Sequence, residues 1–185
     1  LITDWRSRWG QGDFPFLFGG LPNFGPEEPP TLFWTKLREA QAAGLAEPAT
    51  AMIPTIDIGD PNDLHPQNKV EVGRRLALAA RSLAYHDADP SLLSPYAAVV
   101  TFDGGRVRVK IAPAGGGLHI QGDKAEGFAL ANRHGEFVPA QARVDGDELT
   151  IWSDQVPAPR AVRHAWADNP RCNSRLAACD RSARA

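Results

Sequence analysis

The chain has 185 residues, 43% hydrophobic and 23% charged, with a formal net charge of -2. That length allows one large domain or two small ones, at about 100–150 residues each. The near-neutral charge does not point to nucleic acid or an anionic membrane as a partner, and no window is apolar over the roughly 20 residues a bilayer span needs.

The chain opens Leu1-Ile-Thr-Asp-Trp5, without the basic region and apolar core of a signal peptide and without Met, so a processed form or a fragment is expected. Trp5, Trp9 and Trp34 are expected to pack in the core or between domains, with sugar stacking on one of them as the other reading. Residues 14–21 form a short apolar run ending in glycines, which suits a buried strand. Gly19-Gly20-Leu21-Pro22-Asn23 then reads either as a tight turn or as backbone that approaches a ligand or lines an oxyanion hole. Pro22 to Pro30 is a Pro/Gly-rich loop. Thr31 to Leu45 reads as a helix with Thr31 as N-cap and Gly44 as terminator. Ala49 to Asp57 reads as a second strand, with Met52 to Ile58 at its centre. Asn68 with Glu71 makes a capping-box-like start to another helix. Val72, Leu76, Ala80 and Leu83 form its apolar stripe. Strand, helix, strand, helix is the order of a parallel, doubly wound α/β domain.

Beyond Asp87 to Pro95 the helical period disappears. Ala97 to Phe102 and Arg106 to Ile111 flank Asp103-Gly104-Gly105, a hairpin signal. Val107, Val109 and Ile111 alternate with Arg108 and Lys110, so one face is buried and one wet. Gly127 to Asn132, Phe137 to Val144 and Glu148 to Trp152 read as strands, with a turn at Asp145-Gly146-Asp147. This predicts a small antiparallel sandwich over 95–169, after an α/β part at 1–87 and a linker at 88–94. Residues 170–185 are basic and Ala-rich, and a mobile tail is expected. Cys172 and Cys179 form either a local disulfide or two free thiols. No second ligand pair lies near them to complete a zinc site.

Chemistry concentrates in Asp57-Ile-Gly-Asp-Pro-Asn-Asp-Leu-His65, which packs three carboxylates and a histidine into nine residues. A loop at the carboxyl end of a strand is where α/β folds display catalytic groups. His65 there is either a general base or a surface histidine in an Asp-rich turn. Asp57, Asp60 and Asp63 compete to orient it, or simply cap their own turn backbone. The acids miss the spacing of a calcium loop. His86, His119, His134 and His164 have no partner at useful spacing. No serine sits in a Gly-x-Ser-x-Gly elbow.

Four stretches carry a resemblance. They are Leu1-Ile-Thr-Asp-Trp-Arg6 with Phe14-Pro-Phe-Leu-Phe18, Leu37-Arg-Glu-Ala-Gln41, Asp57 through Arg75, and Val162-Arg-His-Ala-Trp-Ala-Asp-Asn-Pro170. Through them the chain resembles the sialate O-acetylesterase family, a branch of the SGNH/GDSL hydrolases. The resemblance implies the C-terminal part of a flavodoxin-like α/β/α domain followed by the sandwich. It implies a Ser-His hydrolase that removes O-acetyl esters from sialic acids or related sugars, with no metal or organic cofactor, in a secreted or periplasmic setting. His65 matches the family's catalytic histidine. The superfamily favours Asp three positions before it, where this chain has Asn62, so Asp63 or Asp60 must serve, or the site works as a Ser-His dyad. The family nucleophile lies upstream in a Gly-Glu-Ser-Asn or Gly-Gln-Ser-Asn turn, which this sequence lacks. Gly19 and Gly20 also replace a Val-Gln pair common in the family. The chain alone is therefore expected to be inactive. Its cut sheet edge is expected to pair with the missing N-terminal half or with a second copy. The rival class is a non-catalytic module that binds carbohydrate or another chain.

Overall fold

A computed structural model describes residues 1–26, 33–89, 92, 94–112, 125–171 and 183–184. The first element is a helix that the sequence reading missed, α1 (Ile2–Trp9), closed by Gly10 as C-cap. Asp4 and Arg8 pair one turn apart on its surface, at 3.0 Å. Arg6 is buried and donates to the carbonyls of Phe14 (2.8 Å) and Pro48 (2.7 Å). A buried guanidinium needs such acceptors, and here they anchor α1 to the segments that lead into both following strands. Trp5 and Trp9 do not enter the core. They stack edge-on at 5.6 Å and stay 40% and 59% exposed.

Strands β1 (Phe16–Gly19) and β2 (Thr50–Ile53) pair in parallel, Phe16 opposite Thr50 and Gly19 opposite Ile53. The second strand is shorter than expected. It stops at Ile53, and Pro54, which has no N–H to give a ladder, follows; residues 54–58 turn away as loop. Between the strands lies α2 (Phe33–Ala43), and Gly44 does not stop the chain but opens a 3-10 turn, Gly44–Ala46. The expected cap, Thr31, lies outside the described residues. Helix α3 (Lys69–Leu83) starts where expected, with the Asn68 side chain accepting from the Glu71 N–H at 3.0 Å. Its Val72, Leu76 and Leu83 pack with Ala79 against Ala51, Ile53 and Leu17. Ala79, rather than Ala80, is the buried alanine of that stripe.

Two antiparallel four-stranded sheets follow. One has the order β3 (Tyr96–Asp103), β4 (Arg106–Ala112), β8 (Glu148–Trp152), β7 (Gln141–Asp145). The other has the order β10 (Ala183–Arg184), β9 (Ala161–His164), β5 (Phe128–Ala131), β6 (Phe137–Pro139). The β3–β4 hairpin closes on Gly104-Gly105, with Gly104 at φ +56°, a conformation glycine takes without steric cost. Val107, Val109, Ile111, Leu149 and Ile151 from the first sheet share one apolar core with Phe128, Leu130 and Val162 from the second. The single strand expected over Phe137 to Val144 is in fact two strands in different sheets. The chain changes sheet at Ala140, just after Pro139 has ended β6.

Strand β9 was not read from the sequence, because Ala161, Val162 and His164 are all buried and leave no alternation to see. The tail returns at Ala183–Arg184 to pair with it. Cys172, Cys179 and His119 lie outside the described residues. So do Pro90, Ser91 and Leu93 of the expected linker, whose Leu92 is buried.

Candidate active site

Two loops leave the carboxyl ends of the parallel strands side by side. The first runs from Gly20 to Gly25 and the second from Pro54 to Gln67. They are stapled by Gly25 N–H to the Pro61 carbonyl at 2.9 Å and by Gly20 N–H to the Ile53 carbonyl at 2.9 Å. The first loop also holds to α2: Gln41 accepts from the Leu21 N–H at 2.9 Å, and the Trp34 indole donates to the Pro22 carbonyl at 2.6 Å. The segment after β9 folds back onto the same loop. Phe24 N–H donates to the Asp168 carbonyl at 3.1 Å, and Asn23 Nδ2 to Asn169 Oδ1 at 2.8 Å. Buried Arg38 donates to the Ala167 carbonyl. Stretches that are far apart in sequence thus meet around one pair of loops.

Gly59 is where the two loops touch. A Cβ there would overlap Asn23 Oδ1 and lie 2.6 Å from the Asn23 carbonyl oxygen and 2.8 Å from the Pro22 Cβ. Backbone would have to move to admit it. Gly59→Ala is expected to cost about 1–3 kcal/mol and to part the loops. Urea denaturation checks this, and an unchanged midpoint would contradict the close approach.

His65 stands on the second loop, 80% exposed, with Nδ1 3.4 Å from Asp63 Oδ1. That is longer than a formed hydrogen bond; contacts of this kind often tighten only when substrate binds. Asp63 is itself well held. Its Oδ1 accepts from the His65 N–H at 2.8 Å and its Oδ2 from Gln67 Nε2 at 2.5 Å. The backbone N–H of His65, and then the Gln67 carboxamide, keep the Asp63 carboxyl below its ordinary range. Asp63 therefore stays an acceptor for the imidazole into mildly acidic solution.

The other two acids have separate tasks. Asp60 Oδ1 accepts from the Asn62 N–H at 2.8 Å, which is turn capping, and nothing joins Asp60 to His65 among the described residues. Asp57 is engaged by Arg75 through two bonds of 2.6 Å each. Arg75 also donates to the Pro54 carbonyl at 2.7 Å and to Glu71 at 2.8 Å, so one side chain ties the end of β2, the start of the loop and the first turn of α3 together. Arg74 and Arg75 together draw the Glu71 carboxyl down to about 2. Sequence spacing did not single out Arg75, since it lies 18 residues from Asp57.

This arrangement can hold a neutral imidazole with Nδ1 toward a carboxylate and Nε2 free for a proton. No serine is hydrogen-bonded to His65 among the described residues, and no group of acids, histidines or cysteines there could hold a metal ion.

No protein-family model matches the chain, and no curated protein matches it. Among solved structures it is similar to a carbohydrate acetylesterase from Xanthomonas citri, with 40% identity and a TM-score of 0.85. The match covers 94% of this chain and 40% of that one, so this chain spans well under half the length of that enzyme. The likeness holds in both sequence and fold over nearly the whole of this chain.

Proposed function

We propose that this chain supplies the histidine-bearing part of a carbohydrate O-acetylesterase acting on acetylated sialic acids or related sugars. The reading is supported most directly by the Asp63–His65 pair on the loop after β2, seen together with the likeness to an acetylesterase. In this reading residues 1–87 complete a flavodoxin-like SGNH hydrolase domain whose nucleophilic serine lies outside this sequence. The two-stranded β1–β2 sheet then takes its remaining strands from that missing part, in a secreted or periplasmic protein.

The chemistry is acyl transfer. The serine oxygen attacks the acetyl carbonyl while His65 Nε2 takes its proton. The tetrahedral species collapses, and His65 returns the proton to the departing sugar oxygen. Water then attacks the acetyl-enzyme with His65 again as base, which releases acetate and the free serine. Asp63 holds the tautomer and favours the imidazolium formed at each step.

The chain by itself is expected to hydrolyse p-nitrophenyl acetate no faster than its His65→Ala variant. Serine-dependent turnover by the isolated chain would refute the assignment of the nucleophile to another segment.

A further inference from the structure

The outer face of the β3-β4-β8-β7 sheet carries chemistry the acetylesterase reading does not use. Val107, Val109, Leu149 and Ile151 point into the core, so their neighbours along β4 and β8 point out. The register then fixes two rows. Arg106 faces Trp152, which faces Gln141; one step along, Arg108 faces Thr150, which faces Arg143. Trp152 is thus bracketed by a guanidinium and a carboxamide. Arg108 and Arg143 stand on opposite sides of β8, about 10 Å apart at two strand spacings.

The cations at this end are not consumed by the protein. Arg106 and Arg143 are exposed and make no ion pair among the described residues, although Asp103 sits across from Arg106 on β3. The acids pair at the other end of the face, where Glu148 approaches Arg108 at 3.5 Å and Asp147 approaches Lys110 at 4.0 Å. On a chain with net charge -2, Arg106 opposite Trp152 and Arg143 diagonal to it leave a local excess of positive charge.

We propose that this face binds an acidic polysaccharide, a chain bearing uronate-type carboxylates. A sugar ring lies against the apolar face of Trp152, Gln141 bonds a hydroxyl, and Arg106 and Arg143 take carboxylates through their planar forks. The ladder of four strands fixes the backbone positions of these residues, and so the spacing of the arginines, before binding. A nucleic acid fits the face less well. The acids at its far end repel a continuous phosphate backbone, and two free arginines release few counterions.

Affinity electrophoresis of the full chain tests this, with polygalacturonate, neutral xylan or duplex DNA cast in the gel. Polygalacturonate is expected to retard the chain and xylan and DNA are not. The double variant Arg106→Gln/Arg143→Gln, with its melting temperature unchanged, is expected to bind polygalacturonate about tenfold more weakly. Trp152→Phe, which keeps an aromatic ring, is expected to bind nearly as the parent does. Absence of retardation, equal retardation by DNA, or full binding by the double variant would overturn the proposal. Binding needs no esterase activity, so this result and the fate of the acetylesterase reading are independent.

Discussion

Replacing His65 by alanine is expected to abolish nearly all acetylesterase turnover while leaving the fold intact. The setting that shows this is a chimera in which the chain replaces the aligned 40% of the Xanthomonas citri acetylesterase. General acid–base catalysis is worth about 10²–10⁴-fold, so kcat should fall by at least that much. The His65 side chain is 80% exposed, so thermal stability should barely change. Asp63→Asn gives a graded contrast, with a smaller fall in kcat and a KM close to the parent's, since the carboxylate acts through the imidazole. The pH profile carries a sign. Asp63 has a lowered carboxyl in the folded protein, so its contribution is complete above the ordinary carboxylate range and is lost only as pH falls through the lowered value. The acid limb set by Asp63 should vanish in Asp63→Asn. Activity in His65→Ala within a few-fold of the parent would remove the histidine from the mechanism.

Arg75→Ala is expected to destabilise the α/β part markedly. The side chain is 15% exposed and bonds two carboxylates and a carbonyl at once. Hydrogen bonds to charged groups contribute about 1.5–3 kcal/mol each, but Asp57 and Glu71 remain partly open to water and regain solvation when released. A net loss of about 2–3 kcal/mol follows, or roughly 5–10 °C in Tm for a chain of this size. The pH dependence has a definite direction. Glu71, with its folded-state value near 2, adds stability that is complete above its ordinary value and disappears as pH falls toward 2. Arg74 supplies the largest part of that shift and stays in Arg75→Ala, so parent and variant should draw closer over that window only by the share that Arg75 contributes. A Tm unchanged at neutral pH would show that the hub is not holding the loop.

Much of this was legible in the sequence, for reasons that differ from one element to the next. Helix α3 was readable because its cap, Asn68 with Glu71, and its apolar stripe are both local signals. The β3–β4 hairpin was readable because Gly104-Gly105 is bracketed by strict alternation. Helix α1 was missed although Asp4–Arg8 and Trp5–Trp9 are both spaced one turn apart; its tryptophans face outward and offered no buried stripe. The split of β6 from β7 turns on Pro139, and its strand-breaking meaning appears only once the neighbouring sheets are known. At the site, His65 and Asp63 sit two positions apart and could be paired from spacing. The removal of Asp57 by Arg75 and the seat of Asn23 on Gly59 are contacts between distant segments, and no local pattern encodes them.

Acetate release from an acetylated sugar by the folded chimera tests the central claim most directly. Release is expected at a rate comparable to that of the Xanthomonas citri enzyme if, as proposed, this chain brings a competent histidine loop to a serine held elsewhere. A chimera that melts cooperatively yet releases no acetate would contradict it.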